Sequence, residues 1–146
     1  MEMKLETVIL PVSDVDRAKR FYEQLGWRLD ADFANGANFR TVQFTPPGSA
    51  ASIQFGKGRT SLDPGAPQNY LVVFDIEAAR ADLVSRGVAV SEIVHKTVLG
   101  TLRDPGAEEH PGPDPERRSY VSFASFRDPD GNGWLLQEIR QRLPGR

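Results

Sequence analysis

The chain has 146 residues and a formal net charge of −2, and 39% of its residues are hydrophobic. This length and hydrophobic content are enough for one compact domain or for two small fused modules. No long basic stretch interleaves with aromatic residues, which argues against nucleic acid as a partner, and no apolar run approaches the ~20 residues that span a bilayer. The lack of cysteine excludes disulfides and a thiolate nucleophile. With no signal-peptide pattern at its start, the chain is expected to be soluble and cytoplasmic.

An internal repeat organises the chain. The stretch TVILPVSDVDRAKRFYEQLGWRL from Thr7 aligns without a gap with QNYLVVFDIEAARADLVSRGVAV from Gln68, at an offset of 61 residues. This offset carries Asp14 onto Asp75. Such self-similarity indicates two copies of one structural unit.

Each copy predicts a strand, a capped helix and then further strands. Asp14 and Asp75 stand where an N-cap carboxylate accepts from free backbone N–H groups. Gly26 and Gly87 follow the helical pattern, where a C-terminus favours a residue of positive φ. The unit reads β-α-β-β-β. Strands are expected at 6–12, 27–32, 39–45 and 51–56 in the first half, and at 70–74, 88–95, 119–127 and 134–140 in the second.

Strand alternation predicts which side chains face the helix. In the first strand, Val8 and Leu10 are assigned to the helix, so Thr7 and Ile9 lie on the opposite face. In the last strand, Trp134, Leu136 and Glu138 share one face, while Leu135 and Gln137 share the other.

Two irregular stretches separate these elements. GKGRTSLDPGAP, residues 56–67, is interpreted as a linker, and the Pro/Gly-rich residues 100–118 as a long surface loop of the kind that forms lids or is disordered. His95 and His110 are expected to be exposed. The alternative is that the loop supplies His110 as a base or a ligand.

The late motif FRDPDGNGWLLQE, residues 126–138, predicts a turn that enters the last strand. Asp128 and Asp130 are interpreted as turn formers that hydrogen-bond their own backbone.

The paired units, with PVSDVDRAKRFYEQLGW early and DPDGNGWLLQE late, resemble the vicinal oxygen chelate superfamily, which includes glyoxalase I, bleomycin resistance proteins and extradiol dioxygenases. The resemblance implies an α+β fold. Two βαβββ modules, at residues 1–58 and 68–142, would make up a single domain, residues 1–146. Their strands would form a curled, mostly antiparallel eight-stranded sheet around a cavity, with the helices outside.

The resemblance also implies four metal-ligand positions, which this chain fills poorly. Metal-dependent members place His or Gln where Thr7 and Gln68 stand, and Glu where Leu135 stands. The fourth ligand is a Glu on the strand that here reads Ser52-Ile53-Gln54-Phe55. Two neutral amides do not hold a divalent ion without a carboxylate or an imidazole. The sequence therefore predicts no metal and no other cofactor.

The expected function is the binding of a small organic molecule in the cavity, as in bleomycin resistance proteins. The predicted ligand-binding residues are Thr7, Ile9, Gln54, Gln68, Tyr70, Tyr120, Leu135 and Gln137; no catalytic residue is assigned.

Two alternatives remain open. The first is a lyase, isomerase or dioxygenase that binds one divalent ion, such as Fe, Mn, Ni or Zn, through Gln54, Gln68 and a displaced Glu138, or that works without a metal. The second is a regulatory protein with a filled cavity. The resemblance further implies a homodimer.

Overall fold

The computed structural model describes residues 1–97 and 108–144. The chain divides into two compact units: unit 1 comprises residues 1–67 and 127–133, and unit 2 comprises residues 68–126 and 134–146. Within the described ranges, no helix is both long and apolar enough to cross a membrane.

Unit 1 follows the predicted β-α-β-β-β order. Its sheet has the strand order β1-β4-β3-β2, in which β1 pairs in parallel with β4 and the other pairs are antiparallel. The elements are β1 Thr7–Ile9, α1 Val15–Gln24, β2 Arg28–Asn35, β3 Phe39–Thr45 and β4 Ser52–Phe55.

Helix α1 begins and ends as the sequence predicts. The Asp14 carboxylate accepts from the Arg17 N–H at 2.9 Å, which satisfies one of the free donors of the first turn. Gly26 adopts a φ of 76° just after the helix. The buried Tyr22 anchors α1 to the sheet, with its ring centroid 5.5 Å from that of Phe55 and 6.0 Å from that of Phe44.

The sheet of unit 1 has a helix face and an open face. Phe44 and Phe55 mark the helix face, and their neighbours at alternate positions, Val42 and Ile53, are also buried. Ile9 pairs with Gln54 and Thr7 with Ser52, so these residues lie on the side opposite α1. The predicted assignment of β1 is confirmed. The open face is defined as Thr7, Ile9, Thr41, Gln43, Thr45, Ser52 and Gln54, with Phe33 and Phe39.

The DPDGN turn belongs to unit 1. Asp128 accepts from the backbone N–H groups of Asp130 and Asn132, each at 2.9 Å, so its predicted role as a turn former is confirmed. Its other carboxylate oxygen accepts from the hydroxyl of Tyr22 at 2.8 Å. The Asn132 amide donates to the carbonyl of Pro11 at 2.8 Å, and this network holds the late turn against the start of the chain.

Unit 2 repeats the strand-helix start and then departs from the predicted pattern. Asp75 caps α2 and accepts from the Ala78 N–H at 3.0 Å, and Gly87 has a φ of 82°. Its five-stranded sheet has the order β5-β9-β8-β6-β7. The elements are β5 Gln68–Val73, α2 Ile76–Ser85, β6 Val94–Lys96, β7 Glu109–Pro111, β8 Ser122–Arg127 and β9 Gly133–Glu138.

In the second half, two predicted strands begin later than expected and the predicted long loop contains a strand. The strand expected at 88–95 begins only at Val94, and β7 lies within the stretch interpreted as a loop, where it pairs antiparallel with β6. Residues 100–107 of that loop lie outside the described residues. β8 begins after Tyr120, because Tyr120 has a φ of 74°, which interrupts an extended strand. The described strands form one sheet of four and one of five rather than a single sheet of eight.

Candidate functional site

A hydrogen-bonded row of amides crosses the open face of unit 1. The register places Ile9 opposite Gln54 and Gln54 opposite Gln43. The Gln54 side-chain amide donates to the Gln43 side-chain oxygen at 2.7 Å. This row fixes both glutamines in one orientation and leaves the Gln54 oxygen as an acceptor.

Arg59 donates a hydrogen bond to this oxygen of Gln54. Its Nη2 donates to Gln54 Oε1 at 2.5 Å, and its guanidinium lies 5.8 Å from the ring centroid of Phe39, within the range of a cation–π contact. Its Nε is buried and lacks a hydrogen-bond partner within the described structure. The hydroxyl of Thr41, which lies on β3 between Phe39 and Gln43, is likewise buried without a partner there. The open face therefore carries a half-buried cation with unused donor capacity.

A glycine-rich loop delivers Arg59 to this face. Gly56 has a φ of 153°, and a Cβ there would lie 1.8 Å from the carbonyl oxygen of Arg40. Gly58 has a φ of 76°, and a Cβ there would lie 2.9 Å from the Asn38 carbonyl oxygen. Only glycine lets the loop run this close to the start of β3. Sequence reasoning missed Arg59, although the Gly-Lys-Gly before it was a usable signal.

The residues at the metal positions do not fit a divalent cation. Both ends of the Gln54 amide are occupied, and the guanidinium of Arg59 repels a second positive charge. Thr7 offers a neutral hydroxyl, Gln68 a neutral amide and Leu135 nothing. Within residues 1–97 and 108–144, no group of three His, Asp or Glu side chains is arranged to hold a metal ion.

Glu138, the carboxylate of the alternative metal set, lies on the helix face of unit 2 as alternation predicts. Its side chain is fully buried, and its Oε2 accepts from the Ile76 N–H at the start of α2 at 3.0 Å. Arg117 binds both oxygens, through Nε at 2.9 Å and Nη2 at 2.5 Å. Burial opposes ionisation, but Arg117 and the Ile76 N–H outweigh it and keep the pKa of Glu138 below its ordinary value. Through these contacts Glu138 has a structural role, since it links Arg117 to the start of α2.

The predicted residues of unit 2 are placed in different surroundings. Gln68 and Tyr70 are exposed on β5. Gln137 donates from its amide to the Tyr120 carbonyl at 3.3 Å. Leu135 is half-buried and lines a cleft of about 370 Å³. The other residues that line this cleft are Ser91, Glu92, Val94, Glu109, Phe123, Ala124 and Ser125.

Tyr120 is buried and lines a different cleft of unit 2, of about 480 Å³, together with Arg117, Arg118 and Arg140. Its hydroxyl accepts from the Leu143 N–H at 3.1 Å. The phenol therefore ties down the end of the chain.

The prediction that both histidines are exposed is wrong for His95. It is buried in β6, opposite His110 on β7, and the two rings stack with centroids 5.3 Å apart. Its Nδ1 donates to the Gly112 carbonyl at 2.9 Å. His110 is half-buried. The pairing of β6 with β7, which the sequence did not indicate, brings the two rings together.

Comparison with known families identifies the chain's class. The sequence model of the glyoxalase/bleomycin resistance protein/dioxygenase superfamily matches residues 4–136. The chain belongs to this superfamily, as the resemblance implied. No curated protein matches the chain.

Solved structures give the same class. TnmS3, an antibiotic binding protein from Streptomyces sp. CB03234, is 29% identical, with a TM-score of 0.66 over 94% of this chain and 96% of that one. A glyoxalase/bleomycin resistance protein from the same organism is 30% identical, with a TM-score of 0.64 over 92% and 100%. A superfamily member from Sphaerobacter thermophilus is 24% identical, with a TM-score of 0.66 over 94% and 98%, and shows the fold alone.

Proposed function

We propose that this protein binds a small organic molecule and does so without a metal ion. The observation that carries the proposal is the chain of side-chain contacts from Gln43 through Gln54 to Arg59 on the open face of unit 1. It offers a fixed set of polar groups beside aromatic and aliphatic surface, which is the usual composition of a ligand site.

The antibiotic-binding function of TnmS3 supports a ligand of natural-product size. Sequestration requires affinity alone, so a site without metal ligands is sufficient for it. The proposal includes the finer features expected from the sequence and from the resemblance: curled sheets, ligand-binding roles for Gln68, Tyr70, Leu135 and Gln137, a homodimer and a cytoplasmic location.

The metal-dependent alternative gains no support from the side chains. Gln54 is engaged by a guanidinium, and Glu138 is bound on both oxygens by Arg117. The proposal accordingly assigns no step to a metal ion and no catalytic residue.

The test combines a binding screen with a metal assay. The screen measures the melting temperature of the purified protein against aromatic antibiotics, and calorimetry confirms each hit. A ligand at a hundred times its Kd stabilises by about 2.7 kcal/mol, a shift of several degrees. Gln54→Leu should abolish the shift, and Arg20→Gln, on exposed α1 surface, should retain it.

The metal assay uses protein incubated separately with Fe(II), Mn(II), Ni(II) and Zn(II), desalted and analysed by mass spectrometry. We expect no retained ion. About one tightly held ion per chain would contradict the proposal and restore the metalloenzyme, and a screen without any ligand would contradict the binding function.

A further inference from the structure

The most unusual charge in unit 1 belongs to Arg59. It takes part in none of the ion pairs found among residues 1–97 and 108–144, although its side chain is half-buried. We propose that Arg59 recognises an acidic group on an aromatic ligand: a carboxylate, sulfonate or phenolate attached to a planar ring. The inference rests on the proposed function and specifies the chemistry of its ligand.

The contrast with Arg40 shows what Arg59 lacks. Arg40 is also half-buried, lies on the helix face of the same sheet, and binds Asp32 at 2.9 Å and Asp16 at 2.8 Å. Arg59 instead donates one hydrogen bond to the neutral side-chain amide of Gln54. A guanidinium taken partly out of water requires a counter-charge to recover its hydration, and the planar fork of arginine suits a bidentate acid.

The open face supplies no such counter-charge near Arg59. Its contacts there are with the neutral side chains of Gln54 and Phe39. Asp30, which binds Thr45 at the opposite end of β3, is already paired with Arg28 at 2.6 Å. An acidic ligand would therefore neutralise the cation without displacing an existing ion pair.

Aromatic surface beside Arg59 explains the second half of the proposal. Phe33 lies opposite Thr41 in the β2–β3 register and is 57% exposed. Its ring meets that of Phe39 edge to face, with centroids 6.5 Å apart. The exposed ring can stack on a planar ligand, while the guanidinium above Phe39 meets the acidic substituent.

Two matched dyes separate charge from aromatic contact. 8-Anilino-1-naphthalenesulfonate carries a sulfonate, and N-phenyl-1-naphthylamine has the same rings without it. We expect the sulfonated dye to bind the wild type at least about fivefold more tightly than the neutral dye, since one charge-assisted pair contributes about 1 kcal/mol or more. Arg59→Gln should remove that preference and change neutral-dye affinity less than twofold.

Two further variants test the geometry. Arg59→Lys keeps the charge but loses the planar fork, so it should restore only part of the preference. Arg20→Gln removes a distant surface charge and should bind both dyes as the wild type does. Circular dichroism establishes that each variant is folded.

A direct readout on the wild type does not depend on any variant's folding. The Nε–Hε resonance of Arg59, assigned by its loss in Arg59→Lys, should shift on titration with the sulfonated dye and not with the neutral one. Equal affinity for both dyes, or an unmoved resonance, would overturn the role of Arg59 and leave the binding function standing. If neither dye binds while the antibiotic screen gives ligands, the proposal of an acidic aromatic ligand is rejected and the binding function stands. If neither the dyes nor the antibiotics bind, both proposals are rejected.

Discussion

Arg117 and Glu138 form a two-pronged ion pair at the start of α2. Arg117 Nε lies 2.9 Å from Oε1 and Nη2 lies 2.5 Å from Oε2, while Oε2 also accepts from the helix N–H of Ile76. One buried carboxylate thus joins the loop before β8 to the helix that follows β5.

Replacing Glu138 with Gln should destabilise the protein strongly. The change leaves Arg117 without its buried counter-charge, and the loss of one partner of a buried pair costs about 3–5 kcal/mol. Urea unfolding followed by circular dichroism measures it. The control is Glu77→Gln, which removes an exposed carboxylate 2.9 Å from the same guanidinium and should cost less than about 1 kcal/mol. Equal small losses would contradict the assignment.

The buried Asp114 should make stability depend on pH in the acid range. The hydrogen bond from Arg118, working against burial, lowers the pKa of Asp114 to about 2 from 3.8. Because the folded-state pKa is depressed, the stabilisation is complete above about pH 4 and is lost as the pH falls towards 2.

This contribution is isolated by comparing variants across pH. Asp114→Asn should be less stable than the wild type by about 1–2 kcal/mol at pH 6, and the gap should narrow towards pH 2.5 in urea titrations. Glu116→Gln removes an exposed partner of the same Arg118 and should show no such convergence. A gap that stays constant with pH would rule out the ion pair as its source.

Tyr22→Phe should destabilise unit 1 because it removes one buried hydroxyl. That hydroxyl is buried and donates to Asp128 at 2.8 Å, and a hydrogen bond to a charged group contributes about 1.5–3 kcal/mol. The double variant with Asp128→Asn should lose less than the sum of the single losses, by about 1 kcal/mol. Strict additivity in urea unfolding would show that the two groups do not interact.

Gly56→Ala should disturb both stability and the placement of Arg59. The new methyl would lie 1.8 Å from a backbone oxygen, which cannot move without shifting β3, so we expect a cost above about 2 kcal/mol. Gly48→Ala is the control: its φ is 76° with nothing within 4 Å, and it should cost about 1 kcal/mol. Binding of the sulfonated dye should weaken only in Gly56→Ala.

The repeat predicted most of the fold because its signals are local. Asp14 and Asp75 cap helices through their own next turns, and the faces of β1 follow from alternation. The positions of Arg59 and His95 did not follow from these local signals, although Gly-Lys-Gly marked the loop that carries Arg59. Their surroundings depend on a loop held against β3 by backbone contacts, and on a strand, β7, only three residues long, with no hydrophobic pattern of its own.

The position of the DPDGN turn in unit 1 has a consequence for synthesis. Tyr22 is separated from Asp128 by 106 residues, and Pro11 from Asn132 by 121. Contacts of such sequence separation form late, because a long loop must close first. As the chain emerges from the ribosome N-terminus first, residues 1–67 must wait until residues 128–132 have been synthesised before Tyr22 and Pro11 meet their partners. A nascent chain halted near residue 67 would expose an unfinished core to chaperones and proteases.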